Sequence, residues 1–196
     1  MPASDRAWTM RETVTIVALG FVFGVLYLAW VQAWLVLQAV IGPIAMDLMM
    51  GFWFVVSIVA AYIIRKPWVA FTSEVVAATA EVLTGNPAGL ILILTGIVQG
   101  AGAELPFALT RWRRYGLPVL LAAGASAAVF SFVYTAIRFD YAALEPGLLV
   151  VMLLVRIASG MILGSLLGKV IADALWRTGA LSGLAIDDAR RGRAAA

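Results

Sequence analysis

The 196-residue chain contains no cysteine and no histidine, and charged side chains make up only 13% of it. Disulfides, zinc held by sulfur or nitrogen, haem ligation through those residues and Cys/His nucleophile pairs are therefore excluded. Oxygen-ligand metal sites stay open. No G-x-S-x-G pattern is present, which leaves little room for an intramembrane enzyme. With 63% hydrophobic residues, a soluble domain of this size would lack the polar surface that must face water. Lipid is the natural solvent, and at about 20 apolar residues per crossing helix the chain has room for roughly six spans and little else.

The pattern predicts those spans over about 12–38, 48–64, 68–83, 89–109, 118–137 and 148–176. Met1 to Thr13 is short and mixed in charge, and the apolar stretch behind it is too long for a signal-peptide core, so it reads as a retained first span. Gly42-Pro43 breaks the first helix, and Val40 to Asp47 reads as an apolar loop. Pro118 falls in a first helical turn, where its missing N–H is harmless. Residues 1–180 form one transmembrane domain in this reading, and 181–196 a polar cytoplasmic tail.

If the N-terminus is cytoplasmic, the inner segments hold eleven basic residues (Arg6, Arg11, Arg65, Lys66, Arg111, Arg113, Arg114, Arg177, Arg190, Arg191, Arg193) and the outer loops hold Arg138 alone, beside Asp47, Asp140 and Glu145. Lys/Arg asymmetry sets orientation, so both termini are expected inside. Trp8, Trp68, Trp112 and Trp176 fall at the same surface, as an aromatic belt.

Polar groups at bilayer depth are functional candidates because they are costly there. Glu74 and Glu81 lie seven residues apart, on one helix face and about 10 Å apart along the axis, with Ala77, Ala78 and Ala80 leaving room beside them. Gly96, Gln99, Gly100 and Ala103 form a stripe on the next span, followed by Glu104 and Pro106. Gln99 and Glu104 are about 140° apart on an ideal helix, so Glu104 has a second reading, as a brace for the inner half of the bundle. Arg156 is the basic group well inside a span and is expected to neutralise a glutamate. Trp34, Trp53 and Tyr134 offer flat faces and a hydroxyl; such faces hold cations and heteroaromatic rings. Gly20 and Gly24 are a small-xxx-small pair that admits a close helix, internal or external. Gly164 to Val170 superficially imitates a phosphate loop, but its glycine spacing is one short, Val170 replaces Ser/Thr, and it sits in an apolar helix. Any ATP-driven step must then be supplied by another subunit.

The set Arg65-Lys66-Pro67, the segment from Glu74 to Asn86-Pro87, and Gln99-Gly100 through Glu104-Leu105-Pro106-Phe107 resembles the YkoE-type substrate-binding subunit of energy-coupling factor (ECF) transporters. The resemblance implies a six-helix S-component bundle in a prokaryotic plasma membrane that captures thiamine or its hydroxymethylpyrimidine precursor from outside. It implies as partners a transmembrane coupling subunit and ATPase subunits, with no cofactor and no catalysis in this chain. It makes Glu74, Glu81, Gln99 and Glu104 the polar candidates, Trp34, Trp53 and Tyr134 the stacking candidates, and Gly20 and Gly24 the contact with the coupling subunit. Related thiamine binders use a histidine in places; this chain has none, so its pocket differs. The competing readings are a stand-alone proton- or cation-coupled carrier and an assembly scaffold whose acids pair internally.

Overall fold

The computed structural model describes residues 7–194; Asp5 and Arg6 lie outside them. Among the described residues every regular element is helical: α1 Met10–Ile41, α2 Ile44–Met49, α3 Val55–Ile64, α4 Val69–Leu83, α5 Ile91–Leu109, α6 Leu117–Arg138, α7 Pro146–Ser159, α8 Leu167–Arg177 and α9 Ala185–Ala194. A 3₁₀ turn, Met50–Phe54, joins α2 to α3, and a π-helical segment, Gly160–Leu166, joins α7 to α8. Five stretches are long and apolar enough to cross a bilayer: Met10–Ile41, Ile44–Ile64, Ile91–Leu109, Leu117–Arg138 and Pro146–Arg177. α4 has 15 residues, about 22 Å of helix against a hydrocarbon core of about 30 Å.

Local chemistry explains most boundaries. Thr9 and Glu12 form a capping box at the start of α1, with Glu12 Oε2 2.7 Å from Thr9 N and Thr9 Oγ1 3.3 Å from Glu12 N, so two free N-terminal donors are satisfied at once. Lys66 Nζ reaches the same Glu12 carboxylate at 2.8 Å, clipping the α3–α4 connection to the foot of α1. α1 ends at Gly42, whose φ of 75° a side-chain-bearing residue rarely adopts.

The expected loop from Val40 to Asp47 is a correction. α1 runs to Ile41 and α2 begins at Ile44, leaving only Gly42 and Pro43 between helices. Pro43 interrupts the chain but also pre-sets the backbone for a new first turn. Asp47, expected as an outer-loop charge, is instead fully buried on α2.

α3 is the axis of the bundle. Each of its residues from Val55 to Ile64 is buried, with α1, α4 and α8 packed around it. Small residues let the helices approach, as packing between apolar helices in lipid requires. A Cβ at Gly20 would lie 2.6 Å from Val76 Cγ1, and one at Gly24 2.6 Å from Ala77 O, so α1 rests directly on α4. This corrects the expectation that Gly20 and Gly24 face a partner subunit: both are buried inside the chain's own bundle. Gly51 meets Ser159, and Gly124 meets Gly160, with the same lack of room.

The end of the chain is less detached than its polar sequence suggests. Leu181, Leu184 and Ile186 are buried in the same hydrophobic core as α3. Arg190 on α9 pairs with Asp173 on α8 and reaches Tyr62 Oη at 3.4 Å, while Trp176 Nε1 donates to Asp187 Oδ1 at 3.1 Å.

Candidate substrate-binding site

A cavity of about 160 Å³ lies among α1, α2, α4, α5 and α6. It occupies the half of the bundle away from Arg65, Arg111 and Arg113, and its walls include the turn residues Asn86 and Ala88 and the end of α6 at Arg138 and Phe139. For scale, an apolar hole of roughly 150 Å³ takes up benzene. The space accommodates one aromatic ring as it stands.

Two carboxylates face it. Glu74 is 2% exposed, with Ser57 Oγ 2.6 Å from its Oε2. Glu81, also 2% exposed, accepts from Asn86 Nδ2 at 2.7 Å, and the Trp53 indole is a further polar partner. Gly85 has φ of 96°, which folds the turn back so that Asn86 lies over the end of α4; Asn86 Oδ1 then accepts from Ala88 N at 2.8 Å. Among the described residues no ion pair reaches either glutamate. The absence of a Cβ at Gly96 and Gly100, whose neighbours are Glu74 O, Ala78 and Phe71, lets α5 press against α4 and bring Gln99 to the same cavity.

The remaining walls are aromatic and sulfur-bearing: Tyr27 and Trp34 from α1, Met46 and Met50 from the α2 segment, Trp53, and Tyr134 from α6. Trp34 Nε1 is a buried donor without an acceptor among the described residues. Tyr134 Oη lies 3.4 Å from Thr95 Oγ1. A ring with acceptor nitrogens and an amino substituent would find donors, carboxylate acceptors and stacking faces within this one space.

Of the seven expected substrate-binding residues, Glu74, Glu81, Gln99, Trp34, Trp53 and Tyr134 line the cavity, and Glu104 does not. Glu104 Oε1 accepts from Trp68 N at 2.7 Å and from Trp112 Nε1 at 2.6 Å, and its Oε2 accepts from Phe71 N at 3.1 Å. It is the cap of α4, supplied by the neighbouring helix, and the positive end of the helix dipole favours it there. Those bonds hold together two loops with left-handed residues, Trp68 at φ 67° and Trp112 at φ 53°. Arg156 is a second correction. It pairs with Asp47, not with a glutamate, at 2.6 Å from Nε and 2.5 Å from Nη2 to Oδ1.

Sequence reasoning missed Tyr27, Met46, Met50, Asn86, Thr135 and Arg138 as lining residues. Asn86 stood out only as a turn former before Pro87. Tyr27 carried no signal at all on an apolar helix, although its hydroxyl accepts from Val56 N at 3.2 Å and so fixes α1 against α3.

Apolar helices enclose a hollow that holds two buried carboxylates, and relatives of the chain are membrane-embedded subunits of transporters. The family described as "ABC-type cobalt transport system, permease component" matches residues 11–130. A crystal structure of an S-component of an ECF transporter superposes with a TM-score of 0.92 at 45% identity, covering 96% of this chain and 98% of that one. YkoE of Bacillus subtilis (strain 168), provisionally named an HMP/thiamine permease protein, is 46% identical over 181 residues, 92% of this chain and 91% of YkoE. The chain belongs to this family of transporter S-components, which are not enzymes.

Proposed function

We propose that the chain captures thiamine or its hydroxymethylpyrimidine precursor from the outer side of a prokaryotic plasma membrane and presents it to a coupling subunit and ATPase subunits. The observation that carries this reading is the pair Glu74 and Glu81. Arg156 is engaged by Asp47, and Arg138 is exposed where it borders the cavity, so among the described residues no ion pair answers the two glutamates in their aromatic-walled space. Buried acid of this kind is costly unless a ligand or proton completes it, and a cationic heterocycle does so with charge-assisted hydrogen bonds. The name of the Bacillus relative points to the same ligand class. Cobalt, named in the family description, suits the site less well: among the described residues no three Asp or Glu side chains converge, and the chain has no histidine or cysteine.

α4 supplies a sixth crossing in this reading, with both termini inside. Its support is the packing of α4 between α1 and α5 and the grouping of Trp8, Trp68 and Trp112 with the arginine-rich loops. Trp8 Nε1 donates to Pro67 O at 3.1 Å, and the Trp68 and Trp112 rings are 6.3 Å apart. Single cysteines at Pro67 and Thr84, at the two ends of α4, in this cysteine-free chain should react with an impermeant thiol reagent from opposite sides; reaction from one side would remove the sixth crossing.

Native mass spectrometry of the purified protein, followed by titration with thiamine and with hydroxymethylpyrimidine, tests the ligand. Tight binding of either is expected, together with no uptake by the purified chain alone in liposomes. Gradient-driven uptake without partners would replace this reading with a stand-alone carrier.

A further inference from the structure

Asp47 and Arg156 lie 109 residues apart in sequence, and both side chains are 0% exposed. Arg156 is among the largest fully buried side chains in the protein. Its Nε donates to Asp47 Oδ1 and its Nη2 lies against the same oxygen as an ion pair, while among the described residues Oδ2 of that carboxylate has no donor. Its Nη1 donates to Thr135 Oγ1 at 2.9 Å and lies 3.4 Å from Ser131 Oγ, which in turn is 3.4 Å from Gln99 Nε2. The Phe132 ring lies 5.1 Å from the guanidinium.

A buried ion pair is a poor way to gain stability, because well-packed apolar residues often serve as well or better. What this one does is set position. Asp47 belongs to α2, six residues between Gly42-Pro43 and the 3₁₀ turn, and α2 with that turn brings Met46 and Met50 to the cavity wall. α7 grips this segment twice from one face. Arg156 holds Asp47, and one turn on Ser159 Oγ accepts from Gly51 N at 2.9 Å and donates to Leu48 O at 2.7 Å. Thr135 and Gln99, at the other end of the network, line the cavity themselves.

We propose that Asp47 and Arg156 are positioning residues: their ion pair holds α2 in place as the detachable wall of the cavity, and Thr135, Ser131 and Gln99 connect that hold to the bound ligand. The ligand part rests on the vitamin-capture reading; the wall part does not. The pair then governs how long a bound ligand stays.

The lack of native cysteine makes the test direct. Met46→Cys is introduced alone and labelled with an impermeant maleimide in nanodiscs. Slow labelling is expected in that background, and labelling roughly tenfold faster or more once Asp47→Asn or Arg156→Met breaks the pair. Where either variant fails to fold, Ser159→Ala, which loosens the second grip on Gly51 and Leu48, should act in the same direction. Thiamine should slow labelling of Met46→Cys, and Asp47→Asn should raise the ligand's off-rate more than it changes the on-rate. Labelling unchanged within a factor of about two in folded variants of the pair would overturn the proposal, since a purely packing role predicts that. Faster labelling in the variants with no response to thiamine or hydroxymethylpyrimidine supports the wall and overturns the vitamin reading instead.

Discussion

Glu74 and Glu104 are both buried, at 2% and 3% exposure, yet only one of them has its full set of partners. Three N–H groups occupy both oxygens of Glu104, whereas Glu74 meets a single serine hydroxyl. Substituting them should therefore have opposite effects. Glu74→Gln or Glu81→Gln should weaken binding of the vitamin by about 1.5–3 kcal/mol, the worth of a hydrogen bond to a charged group, with little loss of thermal stability. Glu104→Gln should leave affinity within a factor of about two while costing about 1–2 kcal/mol of stability, as lost helix caps do. Isothermal titration alongside thermal melts in detergent reads both. The i,i+7 spacing made Glu74 and Glu81 legible as a shared face. Glu104 looked similar because sequence shows that an acid is buried and not which N–H groups point at it.

Helix ends were legible at three breakers, although Pro106 sits inside α5 without ending it. Gly42-Pro43, Arg65-Lys66-Pro67 and Gly116-Leu117-Pro118 each fall at a boundary the structure shows. Two features had no such mark. α2 was hidden because an apolar stretch after a proline reads equally as loop or as helix. The π-helical segment was hidden because Gly160, Gly164 and Gly168 look like an ordinary four-residue packing stripe. The contact of α1 with α4 is a matter of element packing, since the sequence offered Gly20 and Gly24 equally to an inside or an outside neighbour. With Ala77 O only 2.6 Å from a Cβ at Gly24, Gly24→Val should force the helices apart and destabilise the protein by about 1–3 kcal/mol. The melting temperature of the isolated subunit, with no coupling partner present, should already show that loss.

At the scale of the whole molecule, composition alone pointed to lipid as the solvent. The docking of the C-terminal helix was not legible, because Asp187, Arg190 and Arg191 read as a solvated tail and the apolar Leu181, Leu184 and Ile186 are too few to form a pattern. Acid should reverse this docking. The bond from Arg191, then those from the Trp176 indole and Gly183 N–H, hold the Asp187 carboxyl below the usual carboxylate range. A group depressed in this way stabilises the docked state above its ordinary value, and the contribution disappears as pH falls through the lowered one. Amide protection over Ala185–Ala194 should thus be stable near neutrality and decline on acidification to about pH 3, where an unperturbed aspartate with a value of about 3.9 is already protonated. Asp187→Asn should lower the protection near neutrality and blunt its decline in acid.

The wide turn at Gly160–Leu166 bears on how this chain tolerates changes in length. Dropping one residue from a regular helix swings everything beyond it by about 100°, which here would carry Lys169 and Asp173 away from Arg190. A π segment already contains a surplus residue taken up as a local swelling. Excising Ile162 should convert the swelling to ordinary helix and leave α8 facing α9 as before, whereas the same excision at Val151 should not be survivable.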